Sequence, residues 1–317
     1  MRLQHWSHSS NPSHLAHSVL LAVVMAFFCS ACHPNPHLVL YTSQDQVYAE
    51  PILREFTQQT GIEVRAVFDS ESVKTAGLAN RLRAEATHPQ CDVFWSNEEM
   101  LTHALAREGI LETPVATMGH RSRRLAFNTN LVALSALPAS LSLLTNSTWQ
   151  GKVALAYPLF GTTASHFVGL RQKWGDARWQ EWCRNLVRNK VFIVDGNSMV
   201  AKLVGRGEAW IGLTDSDDIA AGQREGLPIA AMPLSDEFVL IPNTIGVVRG
   251  SSQGDAARRF IEFLTQEKTL NELVAAHALE TAVVPAAVQF PSLQIDWEKG
   301  SHDLAGAFEA MKQIFLR

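Results

Sequence analysis

The sequence predicts an α/β fold, and three observations carry that prediction. Short apolar runs, Leu38–Tyr41 and Val93–Trp95, break sharply into small polar residues, Thr42-Ser43-Gln44-Asp45 and Ser96-Asn97-Glu98-Glu99. Helically spaced residues follow each break. The same order returns later, with apolar runs at Lys152–Ala156, Val191–Val194 and Trp210–Leu213. In parallel α/β sheets this order gathers polar side chains and helix N-termini at the carboxyl ends of strands, where ligands bind.

The elements follow in order. Residues 38–41 predict a strand and Tyr48–Thr60 a helix whose Ile52, Leu53 and Phe56 share one face, with Gly61 as its stop. Ile62–Phe68 alternates as a half-buried strand does, and the cap-rich turn Asp69–Ser72 leads to a helix over Val73–Ala86. Asp92–Trp95 predicts a third strand, Ser96 an N-cap, and a third helix runs through Arg107 to Gly109. Three such units argue for a right-handed parallel arrangement. Residues 133–145 are a small-residue connector. Helices are expected over Ala164–Trp174, Trp179–Asn185, Met199–Arg206, Asp255–Leu264 and Thr269–His277, and the tail Leu304–Leu316 is amphipathic. Phe238–Ile241 and Pro242–Val248 predict two short strands split by proline.

Composition narrows the function. The chain has 317 residues, 46% hydrophobic and 18% charged, enough for one large core or two medium ones. A formal charge of −4 gives no reason to expect a nucleic-acid partner. Arg121, Arg123 and Arg124 are too few for a basic patch and predict a solvated loop or helix end. Of the four cysteines, Cys91 and Cys183 lie far apart, lack metal-site spacing and predict buried small hydrophobes.

The N-terminus has the character of an export signal. An unbroken apolar run, Val19–Phe28, is too short for a membrane span, which needs about 20 residues. Small residues before Cys32 and the extended Pro34-Asn35-Pro36 resemble the bacterial lipoprotein signal. That resemblance implies a signal peptide over 1–31, lipidation at Cys32 and a linker over 32–37, with ordinary signal cleavage as the alternative. Loss of residues 1–31 removes Arg2 and no acid, taking the formal charge from −4 to −5.

The polar turns hold the candidate site residues: Ser43, Asp45, Asn97, Thr162, Thr163, Asn197, Ser198 and Asp215. Singly, each could cap its own helix for about 1 kcal/mol. If two α/β lobes face each other, their hydroxyls and free backbone N–H groups converge on one small anionic or polar ligand.

Several segments, in order, resemble one family. Tyr41–Leu53, Thr60-Gly61-Ile62, Asn80-Arg81-Leu82, Asp92–Glu98, Phe127-Asn128-Thr129, Pro158–Thr163, Asp195–Ser198, Gly212–Asp215 and Ile241–Thr244 are similar to the ferric-iron-binding-protein (family 1) branch of bacterial solute-binding proteins, the extracytoplasmic receptors of ABC importers. The resemblance spans about Leu38 to Ala275. It implies a two-lobed periplasmic-binding-protein (type II) clamshell with a ligand cleft between the lobes. Lobe I would comprise 38–122 plus 243–317 and lobe II 123–242, with crossings near Leu125–Asn128 and Ile241–Thr244. It further implies a monomer that meets an ABC permease and ATPase, touches the membrane through its lipid anchor only, and works in the periplasm or cell envelope.

Two departures bear on the cargo. The stretch between Leu111 and Leu125 is shorter than in related receptors. Where iron-binding members carry adjacent tyrosines, this chain has Asp217-Asp218, and its tyrosines number three: Tyr41, Tyr48 and Tyr157. Phenolate ligation therefore does not transfer. Asp217 and Asp218 are candidate hard-oxygen metal ligands, or else acids favoured at a helix start. The ligand readings are a small oxyanion, such as a phosphate ester, phosphonate or carboxylate, or a ferric ion with a synergistic anion. His166 is the one candidate cleft histidine. An exported hydrolase is the competing class, opposed by the lack of Gly-x-Ser-x-Gly, His-Glu-x-x-His and P-loop motifs. A non-transport sensory lipoprotein on the same fold is the third.

Overall fold

Nine strands make one mixed sheet in the computed structural model, which describes residues 37–69, 76–284 and 291–316. The strands are β1 (His37–Thr42), β2 (Glu63–Phe68), β3 (Val93–Ser96), β4 (Ala116–Asn128), β5 (Val153–Ala156), β6 (Phe192–Val194), β7 (Ile211–Asp215), β8 (Ile229–Ala231) and β9 (Val239–Val247). The signal segment, Cys32 and the turn at Ser70–Ser72 lie outside the described residues.

The sheet order is β2-β1-β3-β9-β4-β7-β5-β6, with β8 beside β4. Strands β2, β1 and β3 are parallel, as are β6, β5 and β7. Between these groups run β9 and β4, antiparallel to each other from Ala116↔Ile245 to Arg123↔Val239. Two parallel α/β halves are thus joined through a central antiparallel pair, the plan of a two-lobed binding fold. The three-unit parallel arrangement holds within the first half.

Helices cover the sheet: α1 (Gln46–Thr60), α2 (Ala76–Ala84), α3 (Met100–Arg107), α4 (Gly161–Trp174), α5 (Asp176–Arg188), α6 (Asn197–Arg206), α7 (Ser216–Arg224), α8 (Gly254–Leu264), α9 (Glu267–Ala275) and α10 (Trp297–Phe315). In the first half, α1 buries Ile52, Leu53 and Phe56 against β1 and α8. Phe56 is fully buried, its ring 5.0 Å from Phe260 in an edge contact. Burying one such side chain contributes about 1.5–3 kcal/mol. Gly61 ends α1 in the left-handed region, with φ +72. In the second half, α6 packs Val200 and Val204 over Ala154 and Gly212. Cys91 and Cys183 are free and buried.

Three expectations are corrected. The arginines at 121, 123 and 124 are not a solvated loop or helix end: they lie within β4, and Arg121 and Arg123 are buried. Carboxylates on the adjoining β7 and α7 neutralise them there. Pro242 does not split a strand, because β9 runs unbroken through it. Its missing N–H falls opposite a register shift between Met118 and His120, where Gly119 (φ +57) bulges out of β4. Ser96 does not cap α3. Its hydroxyl is engaged by the Glu98 backbone, and the Glu98 carboxylate instead accepts from the Met100 and Leu101 N–H groups.

The last helix is longer than the tail pattern suggested and packs on both halves. On one side Gly300 lies so close to α3 that an added Cβ would sit 2.8 Å from Met100 Cε, and Arg107 Nη2 donates to the Ser301 carbonyl at 3.2 Å. On the other side its Phe315 ring lies 6.0 Å from Phe167 of α4.

Candidate functional site

The carboxyl ends of β1, β3, β5, β6 and β7 bring most of the sequence-derived residues to the junction of the halves. In the first half, Ser43 and Asn97 lock two strand ends together. The Ser43 hydroxyl donates to Asn97 Oδ1 at 2.9 Å and accepts the Asn97 N–H at 3.0 Å, while Asn97 Nδ2 donates to the Ser43 carbonyl at 2.8 Å. Ser43 is therefore spent on holding Asn97.

In the second half a buried polar network centres on Asp215. Its Oδ1 accepts from Arg123 Nη1 at 2.8 Å. Its Oδ2 accepts from the Thr162 hydroxyl at 2.7 Å and Asn197 Nδ2 at 3.2 Å, and lies 3.0 Å from Arg121 Nη2. Arg123 also donates to Asn197 Oδ1 at 2.9 Å, to Thr162 Oγ1 at 3.1 Å and to the Leu213 carbonyl at 3.2 Å. The Thr163 hydroxyl donates to Asn197 Oδ1 at 3.3 Å. Arg121 Nη1 pairs with Asp217 Oδ2. Burial alone would pull the Arg121 pKa down, but the Asp217 and Asp215 carboxylates outweigh it and raise it.

A cavity of about 20 Å³ opens on this network, room for roughly one water. It is lined by Asn97 and Arg121, by residues 160–163 at the start of α4, and by 195–197 at the start of α6. Neither helix start is capped by a side chain, so both direct backbone N–H groups and the positive end of a dipole into the same space.

Of the sequence-derived residues, Asn97, Thr162, Thr163 and Asn197 line the cavity. Asp215 lies behind Thr162 and Asn197. Asp45 acts on Arg121 through its charge. Ser198 sits in the first turn of α6, half-buried and off the lining. Asp217 and Asp218, in the first turn of α7, form with Asp215 a group whose oxygens lie within 4.8 Å of one another. His166 is not a cleft residue: it is fully buried, its Nε2–H donates to the Glu237 carbonyl at 2.7 Å, and burial with the charge of Arg123 pushes its pKa down to about 3.

Sequence reasoning missed Arg121 and Arg123. Their i, i+2 spacing places both on one face of a strand. Arg123 stands directly opposite Asp215 in the β4–β7 register, so the signal was the pair Arg-x-Arg and Asp-x-Asp on neighbouring elements.

The halves also touch across the junction. The Ser165 hydroxyl of α4 donates to Glu98, and Arg224 Nη2 of α7 donates to the Tyr48 hydroxyl at 3.1 Å. Burial raises the Glu98 pKa, opposed by its bonds from Ser165, Leu101 and Met100.

The profile of the bacterial extracellular solute-binding protein family matches residues 38–277, most of the chain. The chain belongs to that family. It is 23% identical over 288 residues to the major ferric iron-binding protein of Neisseria gonorrhoeae, covering 82% of this chain and 85% of that one. Iron-bound HitA of Pseudomonas aeruginosa superposes with a TM-score of 0.77 at 18% identity, over 88% of this chain and 99% of the other. AfuA of Actinobacillus pleuropneumoniae, solved with exogenous fructose-6-phosphate bound, gives 0.75 at 18% identity, over 89% and 99%. As a member of the bacterial extracellular solute-binding protein family the chain is a receptor and not an enzyme, which removes the hydrolase reading.

Proposed function

We propose that this solute-binding protein is an envelope lipoprotein, anchored through Cys32, that closes on a small oxyanion and passes it to an ABC permease and its ATPase. We take 38–122 with 243–317 as lobe I and 123–242 as lobe II. The cleft lies between them, and the receptor acts as a monomer. The observation that carries the ligand class is the convergence of two uncapped helix N-termini, α4 and α6, on one cavity that Asn97 of the other half also lines. Such an arrangement offers several N–H donors and a positive field to a phosphate, phosphonate or carboxylate. Asn97, Thr162, Thr163 and Asn197 would touch the anion, with Ser43 and Asp215 fixing Asn97, Thr162 and Asn197 in place. Asp45 and Ser198 would border it. The fructose-6-phosphate bound to AfuA is in keeping with a phosphorylated ligand.

The close grouping of Asp215, Asp217 and Asp218 favours a second reading, a ferric ion held with a synergistic anion, as the names of the iron-binding relatives suggest. Calorimetry on ligand-stripped, refolded protein separates the two. Glycerol 3-phosphate or inorganic phosphate is expected to bind at one site per chain, and ferric citrate is not. Asn97→Asp, which sets a carboxylate against the two helix starts, is expected to weaken phosphate-ester binding at least tenfold. Unchanged affinity in that variant would place the ligand elsewhere.

A further inference from the structure

We propose that Arg121 is a resident counter-ion, its guanidinium filling the place among Asp215, Asp217 and Asp218 that a hard metal ion would need. The inference rests on the oxyanion reading and adds what sets the cleft against metal cargo. A hard cation needs carboxylate lone pairs directed at it from about 2.0–2.6 Å. Here the lone pairs of Asp215 are committed, and so is one oxygen of Asp217. A carboxylate offers about four acceptor positions. Around Asp215 stand Arg123, Arg121, the Thr162 hydroxyl and the Asn197 amide. Asp217 gives its Oδ2 to Arg121. Arg121, Asp215 and Asp217 are each at most 3% exposed, so water screens none of these pairs. An incoming cation would have to expel a buried guanidinium, or sit beside it as a like charge.

A planar guanidinium reaches two carboxylates at once, as Arg121 does through Nη1 and Nη2. Its Nε lies on the same buried side chain without a hydrogen-bond partner among the described residues, and Arg121 itself lines the cavity. The same residue therefore pairs with the acids behind it and borders the ligand space.

The test converts the site. In terbium(III) luminescence titrations the wild type is expected to show no one-to-one site. Arg121→Gln, which removes the charge and keeps polarity, is expected to gain a site at least tenfold tighter, and Arg121→Gln combined with Asp217→Asn to lose it again. An Arg121→Gln chain that folds only with terbium present supports the assignment equally. A wild type that binds terbium as tightly as the variant overturns it. So does an Arg121→Gln chain that gains no affinity, or one that stays unfolded with the metal present. Glycerol 3-phosphate titrated into the same wild-type sample keeps the two readings apart. Phosphate-ester binding without a cation gain in the variant removes the counter-ion role alone, whereas one-to-one metal binding by the wild type removes both.

Discussion

Breaking the Arg123–Asp215 pair is the most demanding test of the network's energetics. Both groups are buried, 0% and 1% exposed, and their shortest contact is 2.8 Å. Asp215→Asn removes the negative charge and leaves Arg123 hydrogen-bonded to the Leu213 carbonyl, Thr162 and Asn197, all neutral. Removing one partner of a buried ion pair costs about 3–5 kcal/mol, because the surviving charge is left uncompensated. Arg123→Met strands Asp215 in part, since Arg121 and the Thr162 hydroxyl remain beside it. Its cost should fall toward the lower end of that range. The double variant buries no unmatched charge at this point, so it should cost less than the sum of the singles by about 2 kcal/mol. Urea unfolding of the three variants, followed by tryptophan fluorescence, gives all the terms. For a chain of this size the singles should also lower Tm by about 5–8 °C. Two single costs under about 1 kcal/mol, or strict additivity, would refute the view that this pair is energetically coupled.

Two further outcomes follow from the geometry. The folded protein holds His166 neutral with a pKa of about 3, below its unfolded value of about 6.5, so its stabilising contribution is complete above pH 6.5 and drains away as pH falls. Between pH 7 and 5 the loss is about 2 kcal/mol, and His166→Gln should flatten that part of the stability profile; an unchanged slope would assign the acid sensitivity elsewhere. Glu98, whose pKa is raised, acts in the opposite sense, losing its contribution as pH rises from its unfolded value. Gly119→Ala would place a methyl group 2.5 Å from the Thr281 carbonyl oxygen at φ +57 and should cost about 2 kcal/mol or more. Gly61→Ala, at φ +72 but with open space around it, should cost only about 1 kcal/mol, and equal Tm losses for the two would contradict the clash.

The α/β alternation and the run–turn–helix order were legible because period-2 and period-3.6 patterns are local. Phe56, Leu78 and Leu82, picked from helical spacing, are all core residues. The cavity-lining Asn97, Thr162, Thr163 and Asn197 were legible for a related reason, as strand-end polar residues converge wherever parallel strands share an edge. What local pattern did not reveal was β4. Arg121 and Arg123 look solvated until Asp217 and Asp215, more than 90 positions later, arrive to neutralise them. A buried charge is recognisable only with its partner, and the partner comes from another element. The continuity of β9 through Pro242 was hidden likewise, because the accommodating bulge lies in β4.

Helix α10 gives the molecule a particular order of completion. It is the last of the described elements, yet it packs on α3 in the first half and on α4 and α5 in the second, while β3 waits for β9 to cover its free edge at Val93↔Val247. During synthesis from N-terminus to C-terminus, neither half can finish its core until Trp297–Phe315 is available. A chain truncated before Trp297 would leave apolar surface open on both halves at once.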